Sequence, residues 1–131
     1  MSRRSKARRV VLQMLYEADV NPGIQPEDVR ESIAEQLKDD TLTDFAWTLF
    51  SGVTDNKAQL DEQLEAAAEN WSLSRMAPTD LNALRVGAFE ILHFDTPDRV
   101  AIDESIELAK KFGPKQSSQF VNGILDKLIS K

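Results

Sequence analysis

With 131 residues, the chain suits one domain, or two small helical halves sharing a core, and is long enough to need no metal or disulfide staple. It has no cysteine, which removes disulfides, thiol nucleophiles and cysteine-type zinc sites together. The net charge of −6 hides an asymmetry: Arg3, Arg4, Lys6, Arg8 and Arg9 give residues 1–16 a charge of +5, and the remainder carries −11.

An acidic body repels nucleic acid from most directions, while a basic end attracts it. No apolar run approaches the roughly 20 residues that span a bilayer. A polar residue interrupts the sequence soon after Met14-Leu15-Tyr16, too early for a signal-peptide core. The expected location is cytoplasmic, with no membrane partner.

Every clear period in the sequence is helical, and there is no strict alternation or hairpin signal. The first helix is expected from about Arg3 to Asp19, stopped by Asn21-Pro22-Gly23. Its arc of Ala7, Val10, Val11, Met14, Leu15 and Ala18 faces a core, with Lys6, Arg9 and Gln13 opposite and Tyr16 at the rim. A second helix begins near Pro26, where Glu27 and Asp28 suit the positive end of the dipole, and Val29, Ile33 and Leu37 form its apolar face. A third starts with Thr41 or Thr43 as N-cap and carries Phe45, Leu49, Phe50 and Val53, with Gly52 near its end for close packing or a C-cap. Leu60, Leu64, Ala67 and Trp71 mark a fourth.

The irregular stretch Ser72 to Ala77 divides the chain into halves. The fifth helix opens at Pro78-Thr79-Asp80 and places Leu81, Leu84, Ala88, Ile91 and Leu92 on one face. After Asp95-Thr96-Pro97-Asp98 a sixth runs to Gly113-Pro114, with Val100, Ile102, Ile106 and Ala109 inside. The seventh carries Phe120, Val121, Ile124, Leu125 and Leu128. These elements specify an all-α, seven-helix bundle.

The sequence offers little chemistry. His93, the single histidine, sits near a helix end, where a structural or exposed role suits it. Asp103, Glu104 and Glu107 form an acidic cluster that could supply an acid/base pair but reads as a solvated face. No glycine-rich phosphate loop is present, and nothing requires an enzyme, a metal or a cofactor. The basic helix says more: Arg9, Gln13 and Tyr16, at i, i+4 and i+7, offer a charge, an amide and an aromatic plate to single-stranded RNA. The competing reading is a solvated basic terminus with Tyr16 at the core edge. Asn122 and Gly123 are costly inside a helix, which suggests close approach of a backbone or partner. Phe120 reads as core on composition alone.

At these residues the chain resembles the NusB family of bacterial transcription antitermination factors. The ordered motifs are Arg3-Arg4-Ser5-Lys6-Ala7-Arg8, Gln13-Met14-Leu15-Tyr16, Gly52-Val53, Leu60-Asp61, Trp71-Ser72-Leu73-Ser74-Arg75-Met76 and Leu84-Arg85-Val86-Gly87-Ala88-Phe89-Glu90. Val100 to Gly113 and Phe120-Val121-Asn122-Gly123-Ile124-Leu125-Asp126-Lys127 are the most specific. The resemblance implies seven helices in two sub-bundles, a single RNA-binding unit over residues 1–131. It also implies a partnership with NusE, the ribosomal small-subunit protein, on boxA-type nascent RNA within the antitermination complex on RNA polymerase, notably during ribosomal RNA synthesis.

By position, the implied phosphate contacts are Arg4, Lys6 and Arg8 in the tract that also holds Arg3 and Arg9, with Gln13 and Tyr16 beside them. Phe120 and Asn122 extend that surface, with Lys111 and Gln116 as further candidates. Asp80 matches an acid facing NusE, and Arg85 and Glu90 share its motif or hold that helix to its neighbours. Asp103 departs from a common asparagine, the Gly113–Gln116 loop is more basic than in some relatives, and Ser5 dilutes the arginine tract. Alternatives are a protein-interaction or dimerisation module, a homodimer covering the RNA surface, or a fragment of a ribosomal RNA methyltransferase carrying this fold.

Overall fold

The structure is a computed structural model that describes residues 3–69 and 71–130. Among them, seven α-helices run in order: α1 (Arg3–Val20), α2 (Pro26–Leu37), α3 (Asp40–Asp55), α4 (Lys57–Ala68), α5 (Pro78–His93), α6 (Asp98–Phe112) and α7 (Ser117–Ile129). A short 3-10 turn, Leu73–Arg75, lies between α4 and α5. The all-α fold and its seven helices are as expected. No described helix is long and apolar enough to cross a membrane.

Helices α1, α2 and α3 pack together as one sub-bundle, and α4, α6 and α7 gather around α5 as the other. They are not separate cores. Helix α5 also packs on α1 and α3, and one buried apolar cluster runs from Val11 and Leu49 through Leu84 to Leu125. A second patch, where Leu12 meets Ala83 and Leu108, seals α1 against α5 and α6.

Local chemistry explains several element ends. Pro26 sits in the first turn of α2, where its missing N–H is no loss. The cap of α3 is Asp39, rather than Thr41 or Thr43: its carboxylate accepts the Leu42 N–H at 2.8 Å. Aspartate satisfies an orphan amide with a charged acceptor, which also suits the helix dipole. Gly52 lies inside α3 and not at its C-cap, because the Phe89 ring of α5 rests on it; a Cβ there would come within 2.2 Å of Phe89 Cζ.

Three apolar expectations shift. Trp71 lies beyond the end of α4 and is 59% exposed. Val100 and Leu92 are also exposed. The periodicity of α5 picks out one face, yet every residue from 82 to 90 is buried, since five helices surround it.

Candidate nucleic-acid interface

The 3.6-residue period splits the basic residues of α1 between two faces. Lys6, Arg9, Gln13 and Tyr16 follow one outward strip; Lys6, Gln13 and Tyr16 are exposed and Arg9 is half-buried. Arg4 and Arg8, four residues apart, turn instead toward α3, where their guanidinium carbons lie 4.3 Å and 5.2 Å from the Phe45 ring centre. Arg3 pairs with Asp39, the carboxylate that caps α3. The Leu42 amide holds the Asp39 carboxyl below its ordinary pKa; burial opposes it, and the Arg3 charge adds to the lowering.

Arg8 corrects a sequence expectation. It is 3% exposed, so its guanidinium is not presented to a phosphate. Its Nε and Nη2 donate to the two Glu90 oxygens at 2.8 and 2.7 Å, and Nη1 donates to Glu104 Oε1 at 3.2 Å. Ser5 Oγ donates to the same Glu104 oxygen at 2.7 Å, and Thr96 Oγ1 donates to Glu90 Oε1 at 2.7 Å. Burial alone disfavours the Arg8 charge, but bonding to Glu90 and the charges of Glu90 and Glu104 outweigh it and raise its pKa.

Of the two roles open to Arg85 and Glu90, facing a partner or holding α5 to its neighbours, the structure supports the second. Glu90 is fully buried in that cluster. Arg85, 5% exposed, donates to both Asp61 oxygens at 2.8 and 2.9 Å and reaches Asp19 at 3.3 Å. Both hold α5 to its neighbours. Burial pushes the Asp19 carboxyl up, but hydrogen bonds from Asn82 and Lys57 and the charges of Lys57 and Arg85 outweigh this and lower its pKa. Asp80 is also buried and does not itself face outward: Ser117 Oγ donates to its Oδ2 at 2.9 Å, tying the start of α7 to α5.

The outer surface holds two open grooves. Ser5, Arg9, Glu104, Glu107, Lys110 and Lys111 line an open groove of about 610 Å³ between α1 and α6, which brings Arg9 and Lys111 together. Glu104, one of the acidic cluster, thus has a structural role, while Asp103 is exposed beside Arg99. From Lys111 the chain passes through the Gly113–Gln116 loop to a second groove of about 540 Å³, walled by Trp71, Arg75, Pro114, Gln116, Gln119 and Phe120. Phe120 is half-buried, and its ring meets Trp71 edge-on at 5.1 Å and 75°. Asn122 is half-buried, and its Oδ1 is buried without a hydrogen-bond partner.

Trp71 and Arg75 were missed by periodicity, because a tryptophan after an apolar helix stripe looks like its last core residue. The helix ends at Ala68, and Glu69 takes a positive φ of 54°, so the chain has left the helix before it reaches the tryptophan. The arrangement suits single-stranded nucleic acid: cations along a strip, amides at Gln13, Gln116 and Gln119, and aromatic surfaces at Tyr16, Trp71 and Phe120. It offers less to catalysis. His93 is exposed, with Nε2 2.9 Å from Gln59 Oε1, and no described trio of histidine or carboxylate side chains could hold a metal ion.

Comparison with known proteins gives one consistent result. The sequence profile of the NusB family matches residues 5–130. The chain is 43% identical over 130 residues to transcription antitermination protein NusB of Anaeromyxobacter dehalogenans, covering 98% of this chain and 92% of that protein. It is 40% identical over 129 residues to the protein of the same name from Trichlorobacter lovleyi, covering 98% and 91%. The fold superposes on T. maritima NusB with a TM-score of 0.84 at 31% identity, covering 100% of this chain and 92% of that one. It also superposes, at 22% identity and a TM-score of 0.86, on a chain from the crystal structure of antitermination factors NusB and NusE in complex with dsRNA, covering 99% and 98%.

Proposed function

Since the chain belongs to the NusB family, we propose that it is a non-catalytic, cytoplasmic transcription antitermination factor that binds boxA-type single-stranded nascent RNA together with NusE. The observation that carries this reading is the outward-facing Lys6–Arg9–Gln13–Tyr16 strip, with Arg9 half-buried, continued by Lys111 and Gln116 to the Trp71–Phe120 pair. Phosphates follow the cations, and unstacked bases lie against the rings. The NusE-facing surface is the exposed rim around buried Asp80, formed by Arg75, Gln116 and Gln119. A relative of this fold is seen with NusE and double-stranded RNA, which supports the partnership. The complex then joins RNA polymerase during ribosomal RNA synthesis. The matched relatives are named as antitermination proteins, which favours this reading over a methyltransferase.

The test is a titration with a boxA-type RNA and a scrambled control, with and without NusE, across salt. Preference for the boxA-type RNA, tighter binding with NusE and a salt slope of about −0.7 per phosphate contact are expected. Equal affinity for both RNAs, or no gain with NusE, would count against the proposal. The groove of Arg9, Lys110 and Lys111 against Glu104 and Glu107 is charge-complementary to a second copy of itself. A homodimer through it would hide part of the RNA strip, so light scattering on the free protein and on the RNA complex checks that state.

A further inference from the structure

The Arg8 cluster is buried, and it joins α1 and α6, which line the first groove, to α3 and α5. We infer that Arg8 is a positioning residue: with Phe45, Glu90 and Glu104 it locks α1 in place, so that Lys6, Arg9, Gln13 and Tyr16 meet RNA already ordered. The inference rests on α1 being the RNA-binding helix.

Three observations carry it. First, the cluster is buried: Arg8 is 3% and Glu90 0% exposed, and the guanidinium is bidentate on Glu90. Removing one partner of such a pair leaves an uncompensated buried charge. Second, its reach is long in sequence. Glu90 lies on α5, Glu104 on α6, Thr96 in the turn between them and Phe45 on α3, so a single side chain fixes α1 against three helices. Third, Phe45 is 6% exposed and is touched by Arg4 and Arg8 from α1 and edge-on by Phe94, which makes it a rigid stop for the basic turn. The first turn of α1 needs such support, since it holds Arg3, Arg4 and Lys6 at the positive end of its own dipole with no acidic residue to offset them.

Arg8→Met removes the cation and leaves Glu90 buried and unpaired, whereas Arg8→Met/Glu90→Gln removes both charges. Two readouts are followed: amide hydrogen exchange over residues 3–12, and the affinity and salt slope for a boxA-type RNA oligonucleotide. The single variant is expected to exchange faster in α1 and bind more weakly, with its salt slope unchanged. The double variant is expected to recover both protection and affinity. Arg8→Lys does not rescue, because one ammonium cannot serve Glu90 and Glu104 with the same fork.

A slope flatter by about 0.7 in both Met variants, with affinity still lost in the double variant, would mark Arg8 as a phosphate ligand and overturn the inference. Unchanged exchange in Arg8→Met would overturn it as well. If Arg8→Met does not fold, Glu90→Gln alone decides: weaker binding with faster α1 exchange supports positioning, and unchanged binding refutes it. Should the wild-type protein bind neither RNA, the functional reading fails, while the exchange data still decide whether the cluster orders α1.

Discussion

Gly123 occupies an exposed position inside α7, where a Cβ would meet no atom within 4 Å. It has no positive φ to protect, for among the described residues no glycine does. Packing within the chain therefore gives no reason for glycine here, and Gly123→Ala should recover the helix propensity, about 0.8–1.0 kcal/mol. For a chain of this size that is a rise in melting temperature of about 3–5 °C. Gly52→Ala is the matched control: the same propensity gain is opposed by a Cβ 2.2 Å from Phe89 Cζ, beneath a ring that is 6% exposed. Overpacking of that kind costs about 1–3 kcal/mol, so the net change should be destabilising. Urea titration and thermal melts of the two variants measure both. A Gly123→Ala protein no more stable than wild type would refute the reasoning, as would a Gly52→Ala protein stabilised to the same degree. Gly123 also borders the hollow beside Trp71 and Phe120. If RNA or NusE closes on that face, the stabilised variant should bind more weakly, which would account for the glycine.

Other outcomes follow from the same structure. Trp71→Ala and Phe120→Ala should each weaken binding of the boxA-type RNA by about 1–3 kcal/mol with little change in salt slope, as measured by fluorescence titration. Lys6→Ala should instead flatten the slope by about 0.7, and an unchanged slope would remove Lys6 from the phosphate set. Arg85→Met should destabilise the fold by about 1–3 kcal/mol, less than for a fully buried pair because Asp61 and Asp19 stay partly hydrated, and urea unfolding reads the loss. Asp19 and Asp39 have folded pKa values below those of ordinary aspartates, near 3.9. The stability they contribute is present above about pH 4 and is lost as pH falls through the folded values. The urea midpoint should drop over that acid range, and Asp19→Asn should make the drop shallower.

Much of the fold was legible along the chain. Proline and glycine stops, together with 3.6-residue apolar spacing, mark seven helices, because these are local properties of neighbouring residues. The strip of Arg9, Gln13 and Tyr16 was legible for the same reason: residues at i, i+4 and i+7 share a helix face whatever the helix packs against. Trp71 was not, since an apolar residue after an apolar stripe gives no sign that the helix has already ended.

What neutralises each cation lay beyond the sequence. Periodicity sets Arg8 and Arg9 on different faces of α1, yet it names no partner for Arg8. Arg8 turns inward because Glu90 lies 82 residues away in sequence and 2.7 Å away in space. Arg85 and Glu90 likewise read either as partner-facing or as helix ties, and burial among the helices around α5 decides for the ties. The amino-acid sequence by itself determined the helices, the charged end and the family. Tertiary packing decided which charges are neutralised inside and which are left to meet a ligand, because a carboxylate distant along the chain has no local trace until the helices meet.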